Sequence, residues 1–306
     1  MEEVIVIVGP TCSGKTKLSL EIAERINSEI ISADSRQIYK YLDIGTAKPL
    51  KSELNKVKHH FIDELDPKED FNVSIFAARA SAIIQKSIDN NTLPIIVGGS
   101  GLYIKAVIDG ITESADTNEE IRTELLELRQ KYSNDYLYDE LKKVDELSAS
   151  KMLPQNWKRV MRALEVYRLT GKPIWQHHTE QKGNVKFNFQ QVGLLWDRKT
   201  LYQNIDLRVD KMLELGLVKE VKNLLDSGYS KTLNALNTVG YKEIIQYLDN
   251  EISLDRAIEL VKRNTRHYAK RQMTWFNKDK RITWYHINQK SDLLDVCENI
   301  IKTFKK

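Results

Sequence analysis

VIVIVGPTCSGKT, residues Val4 to Thr16, decides the fold of this chain. Val4 to Val8 are all β-branched and apolar, the composition of a parallel strand buried on both faces. Gly9 to Thr16 fit the spacing G-x-x-x-x-G-K-[ST], and beyond them Leu18, Ile22 and Ile26 share one helical face. Strand, glycine-rich turn and helix form the setting in which this motif has physical content. Backbone N–H groups of the turn and the helix N-terminus cradle phosphate oxygens, Lys15 adds a point charge, and the Thr16 hydroxyl is the expected partner of Mg²⁺. The residues expected to hold the phosphate are Gly9, Pro10, Thr11, Cys12, Ser13, Gly14, Lys15 and Thr16, with Thr11 and Ser13 offering hydroxyl donors. Such a loop grips a diphosphate equally well in a nucleotide or in another molecule. Alone, the motif suggests an NTPase or a kinase.

Outward from the loop, strand and helix alternate. Glu29 to Ala33 read as a second strand, and Asp34 falls at its carboxyl end. In open α/β sheets that end faces the ligand crevice, so Asp34 is expected to open onto the same space as the loop. It can be a metal-associated carboxylate, a general base, or an N-cap with no chemistry. HHFIDELDP (His59 to Pro67) reads as a short extended segment, Ser74 to Asn91 as a helix, and Leu93 to Gly110 as strand, Gly-Gly-Ser-Gly turn and helix. The expected fold class is therefore α/β, a P-loop NTPase-like parallel sheet whose first part spans residues 1–111. Residues 112–188 show helical patterns only and read as a helical insertion. Residues 189–306 return to the core with a strand from Phe189 to Arg198. One long helix from Tyr202 to Gly228 follows, then helices at 239–250 and 255–276, a last strand and a final amphipathic helix.

Composition narrows the class. In 306 residues there is no run of the ~20 apolar residues a membrane helix needs, and Glu2 and Glu3 argue against a secretory leader. Two cysteines, Cys12 and Cys297, have neither disulfide nor zinc spacing. The expectation is a cytoplasmic protein, and nothing demands more than a monomer. The net charge is only +4, but residues 262–281 hold Lys262, Arg263, Arg266, Lys270, Arg271, Lys278, Lys280 and Arg281 against the single acid Asp279. Thr112 to Leu128, by contrast, is acid-rich. On the helix from Asp255 to Phe276, Ala257, Val261, Tyr268, Gln272, Trp275 and Phe276 fall on one side. Arg263, Arg266 and Lys270 fall on the other. Cations interleaved with aromatic rings suit RNA; an ordinary solvated face is the competing reading.

These segments together resemble a known family. GPTCSGKT, ISADSRQIYKYLDIGTAKP (from Ile31), VGGSGLYIKAV (from Val97), QNWKRVMRALEVYRLTGKP (from Gln155), RVDKMLELGLVKEV (from Arg208), VGYKE (from Val239) and YAKRQMTWF (from Tyr268) occur in order. The chain resembles the bacterial tRNA dimethylallyltransferases, also called tRNA isopentenyltransferases, from its first strand to at least Phe276. The resemblance implies that the loop holds the diphosphate of dimethylallyl diphosphate, with Mg²⁺ as cofactor. It implies tRNA as the partner, modified on the exocyclic amine of the adenosine 3′ of the anticodon in tRNAs reading U-starting codons. Asp34 matches the catalytic carboxylate of the family, and Arg208 matches an arginine that stabilises the departing diphosphate beside Lys15 and Thr16. The implied tRNA contacts are Asp34, Ser35, Arg36 and Gln37, then Ser100 and Arg122, then Lys158, Arg159 and Arg162. Further contacts are implied at Gly240, Tyr241 and Lys242, and at Lys270, Arg271, Gln272 and Trp275. Cys12 stands where the family more often has alanine, and Ser100 where it more often has threonine. Alternatives from other classes are a P-loop small-molecule kinase, an adenylate isopentenyltransferase and a non-enzymatic RNA-binding switch.

Overall fold

β1 (Glu2–Val8) lies inside a six-stranded, wholly parallel sheet of order β3-β2-β4-β1-β5-β6. The computed structural model describes residues 2–110, 118–179 and 186–304. The other strands are β2 (Ile30–Ala33), β3 (His59–His60), β4 (Ile95–Gly98), β5 (Phe187–Trp196) and β6 (Thr283–Ile287). Val4 to Val8 are buried because β1 is paired on both edges and covered on both faces, so its sequence runs apolar without alternation. Ile5 to Val8 align with Ile95 to Gly98 of β4, and Glu2 to Val8 with Phe187 to Gly193 of β5. β2 and β4 lie to one side of β1, and β5 and β6 to the other. The carboxyl ends of these strands therefore meet at a switch in strand order, the place where open α/β sheets bind ligands.

Helices α1 (Lys15–Ile26), α2 (Lys51–Lys56), α3 (Val73–Asp89) and α4 (Gly101–Asp109) connect the first strands. After β5 come α10 (Arg198–Glu214), α11 (Leu217–Asp226), α12 (Tyr241–Leu248), α13 (Leu254–Phe276) and α14 (Asp292–Phe304). Between these two series lie α5 (Glu119–Tyr132), α6 (Asn134–Val144), α7 (Glu146–Ala149), α8 (Trp157–Thr170) and α9 (Ile174–Thr179). The chain divides into two compact units, Met1–Ile108 with Val185–Lys306, and Asp109–Asn184. The first packs Leu18 and Ile22 of α1 with Ile5, Ile7 and Ile95 of the sheet and Leu293 and Ile300 of α14. The second has its own core of Leu125, Leu137, Leu141, Val160 and Leu164, drawn from three helices, with no strand among its described residues.

Three expectations change. The strand expected from Phe189 starts at Phe187, because Phe187 and Asn188 pair with Glu2 and Glu3. It stops at Trp196, because the Asp197 carboxylate accepts the N–H groups of Lys199 (2.8 Å) and Thr200 (3.1 Å) and starts α10. The single helix expected from Tyr202 to Gly228 is two, α10 and α11. Gly216, at φ +100°, takes the left-handed turn that ends one apolar stripe and restarts another. Of the acid-rich stretch, residues 112–117 lie outside the described residues. No helix of the described residues is long and apolar enough to cross a membrane.

Candidate active site

The loop between β1 and α1 is fixed from three sides. Lys15 Nζ donates to the Pro10 carbonyl at 2.6 Å, closing the loop on itself. From β5, Trp196 Nε1 donates to the Ser13 carbonyl at 2.9 Å. From α13, Gln272 Oε1 accepts the Thr11 N–H at 2.8 Å, while Gln272 Nε2 donates to the Gly99 carbonyl at 3.0 Å. The second bond demands a glycine at 99: a Cβ there would lie 2.1 Å from Gln272 Nε2. Ser13 Oγ is buried with no hydrogen-bond partner among the described residues, an unmet polar group inside the loop. Burial, and then the neighbouring Arg208 cation, push the Lys15 ammonium down to about 8.

Asp34 sits one residue past β2, where strand pairing has ended. Its Oδ1 accepts the N–H groups of Arg36 (2.8 Å) and Gln37 (3.3 Å), a local turn that fixes the carboxylate. The Gly-Gly-Ser-Gly turn is tied alongside. Ser100 Oγ accepts the Ser35 N–H at 3.2 Å, and the Ser100 N–H donates to the Ala33 carbonyl at 3.2 Å. The Gln37 side chain faces inward, accepting from Ser32 Oγ and donating to the carbonyls of Thr46 and Ala47.

Arg208 arrives from α10. Its Nη1 lies 3.4 Å from Thr11 Oγ1 and 3.5 Å from Cys12 Sγ. Two residues before it, Asp206 pairs with Arg266 at 2.5 Å; two residues after it, Asp210 pairs with Lys262 at 2.6 Å. Both cations belong to α13, so that helix braces the turn carrying Arg208 as well as the loop. A cavity of about 370 Å³ is lined by Lys15, Thr16, Asp34, Arg208, Tyr268 and Gln272 among others. A second, of about 320 Å³, shares Thr11, Asp34, Arg208 and Tyr268 with the first and adds Lys242 and Arg271. Burial and then the Asp34 charge push the Tyr268 phenol well up, so it stays a hydrogen-bond donor at neutral pH.

The residues expected from the resemblance to touch RNA divide. Lys158, Arg159, Lys242, Lys270 and Arg271 are exposed cations, and Trp275 is 37% exposed. The Arg36 guanidinium reaches the Asn234 carbonyl at 2.6 Å. Within the helical unit, Arg122 (2.9 Å) and Arg162 (2.7 Å) are both held by the buried Glu165 carboxylate. Tyr241 corrects its expectation. It is 0% exposed, and its hydroxyl donates to Glu220 Oε1 at 2.5 Å, so it is a core residue rather than an RNA contact. Burial and the Glu220 carboxylate push that phenol far up. Gly240, also buried, caps α12. Gln272 is 6% exposed with both ends of its amide engaged, a brace inside the site. Its sequence signal was a polar residue on the apolar side of the helix. The stripe of Arg263, Arg266 and Lys270 is also shorter than expected, because Arg266 is neutralised by Asp206 of another helix.

The family model described as IPP transferase matches residues 37–279. A protein of Acetivibrio thermocellus named tRNA dimethylallyltransferase is 49% identical over 308 residues, covering 100% of this chain and 97% of its own. One of the same name from Alkaliphilus oremlandii is 44% identical, covering 99% of this chain and 97% of its own. The crystal structure of a tRNA isopentenylpyrophosphate transferase from Bacillus halodurans aligns with a TM-score of 0.73 at 38% identity, covering 100% of this chain and 97% of that one. A eukaryotic dimethylallyltransferase acting on tRNA aligns with a TM-score of 0.83 at 30% identity, covering 95% of this chain and 75% of that one. The chain belongs to the IPP transferase family.

Proposed function

We propose that this chain transfers the dimethylallyl group of dimethylallyl diphosphate to the exocyclic amine of the adenosine 3′ of the anticodon, releasing diphosphate. One observation carries the reading: an anion-binding loop with Lys15, a second cation on Arg208 and the Asp34 carboxylate all line a single cavity. The loop N–H groups and Lys15 hold the diphosphate. As the carbon–oxygen bond breaks, negative charge grows on the leaving oxygens beside Arg208. The adenine nitrogen forms the new bond to carbon, and its proton passes to Asp34. An exocyclic aromatic amine is a poor nucleophile, and a positioned acceptor for its proton contributes roughly 10²–10⁴-fold. The target base leaves the anticodon-loop stack to reach the cavity.

Among the described residues no group of three or more His, Cys, Asp or Glu side chains gathers to hold a metal. The exposed Thr16 hydroxyl fits Mg²⁺ nonetheless, because that ion is commonly held by one or two protein oxygens together with substrate phosphates and water. When bound it supplies charge neutralisation on the diphosphate.

Radiolabelled dimethylallyl diphosphate offered with undermodified tRNA, with AMP, or with neither tests the reading. Label in tRNA alone supports it. Label in AMP alone, or ATP consumed without RNA, overturns it. Asp34→Ala is expected to lower turnover by at least about 10²-fold while tRNA binding persists.

A further inference from the structure

We propose that Tyr41, Tyr229 and Lys68 form a stacking platform for an exposed base of the RNA substrate, outside the catalytic cavity. This rests on the reading that the acceptor is RNA. No expectation from the sequence placed a contact here.

Tyr41 is 55% exposed and holds φ at +66°. A bulky side chain rarely adopts that left-handed conformation, and an exposed ring recovers little by burial. Strain kept at an exposed aromatic points to a contact made by something outside the chain. Its neighbour is Tyr229, with ring centroids 6.2 Å apart and planes inclined at 45°. Tyr229 is itself fixed, because its hydroxyl donates to Asp66 Oδ2 at 2.7 Å. Lys68 Nζ lies 5.2 Å from the Tyr229 ring centre. These groups line an open cavity of about 600 Å³ with Lys219, Asn223 and the exposed Leu215.

Charge selects the occupant. Of the acids here, Asp43 pairs with Lys48, Asp66 accepts from Tyr229 and the Lys68 N–H, and Glu220 accepts three backbone N–H groups. Lys68 and Lys219 make no ion pair with a carboxylate among the described residues. Rings flanked by lysines held in no close ion pair match a nucleic-acid strand, whose bases stack and whose phosphates need positive charge. The place fits too. Glu220 pins the backbone of Asp43, Ile44 and Gly45, and the same loop continues to Thr46 and Ala47 on the catalytic cavity. Five residues of chain span at most about 18 Å, so a strand delivering one base to the cavity passes close to Tyr41.

The test measures tRNA affinity by anisotropy, the KM for dimethylallyl diphosphate and the melting temperature. Wild type is compared with Tyr41→Gly, Tyr41→Leu, Tyr41→Phe and Lys219→Ala. Tyr41→Gly relieves the backbone and removes the ring, so its melting temperature is expected to hold or rise while the tRNA Kd rises about tenfold. Tyr41→Leu is expected to weaken tRNA binding similarly and Tyr41→Phe to keep wild-type affinity, both with the donor KM unchanged. Lys219→Ala is expected to reduce the slope of log affinity against log salt by about one. Wild-type tRNA affinity in both Tyr41→Gly and Tyr41→Leu overturns the platform, whether the cavity then takes a protein, a small molecule or nothing. So does a fall in melting temperature with Tyr41→Gly, which would make the ring structural. Failure of the wild-type protein to bind or prenylate tRNA strikes the functional reading instead.

Discussion

Lys15 carries its charge under strain: burial and the Arg208 guanidinium hold its ammonium at about 8. The unfolded chain keeps that proton up to the ordinary lysine value of 10.5. Between about 8 and 10.5 the unfolded state therefore binds more protons than the folded one, and the stability of the ligand-free protein rises with pH across that window. Below it the penalty of the buried charge is constant. A bound diphosphate reverses the balance, because its oxygens favour the charged amine. We expect kcat/KM for dimethylallyl diphosphate to fall by up to about tenfold per pH unit above about 8. The kcat at saturation should hold to higher pH, since the bound diphosphate restores the proton. Profiles of both parameters from pH 6.5 to about 10 check this, and a kcat/KM flat through that range would exclude Lys15 as the titrating group. Lys15 and the loop were legible in the sequence because the motif is contiguous. Arg208 was legible only through family resemblance, since its approach to Thr11 is made across 197 positions of chain.

At the scale of the element, α13 does more than its basic composition announced. Helical spacing alone put Gln272 among apolar side chains, and a polar group there must find partners. It finds them on two different loops, the Thr11 N–H and the Gly99 carbonyl. What spacing did not reveal was the neutralisation of Lys262 and Arg266, because their acids lie on α10, 52 and 60 positions earlier. The break at Gly216 was hidden for the opposite reason. Its flanks are both helix-forming, and the turn shows only in the left-handed backbone. Gln272→Leu keeps roughly the side-chain volume and leaves two backbone groups unpaired, at about 1–3 kcal/mol of stability. The displaced loop should raise the KM for dimethylallyl diphosphate and lower kcat, together by about tenfold or more in kcat/KM. The tRNA Kd should stay within about twofold. Steady-state kinetics with each substrate varied, alongside thermal melting, would separate that result from general unfolding.

For the whole molecule, the parallel α/β class followed from alternation of strand and helix, whereas the order of the strands shows only in the structure. The distribution of charge did not follow so simply. A formal charge of +4 predicts weak attraction to a polyanion, yet exposed Lys158, Arg159, Lys242, Lys270 and Arg271 recur at separate places along the chain. Affinity for tRNA is therefore expected to depend on those local cations, and to depend on salt. If about four of them neutralise phosphates, log affinity should fall with log salt at a slope near 3. Raising salt from about 50 to about 200 mM would then cost roughly 10²-fold in affinity. Lys270 is exposed and makes no ion pair among the described residues, so Lys270→Ala should lower the slope by about one and leave the KM for dimethylallyl diphosphate unchanged. Lys262 gives the contrast. Its charge already meets Asp210, so Lys262→Ala should barely change the slope and should act, if at all, through the bracing of Arg208. Salt titrations of tRNA binding for the two variants decide between the helix as an RNA-facing surface and the helix as an internal strut. Equal slopes for Lys270→Ala and wild type would leave only the strut.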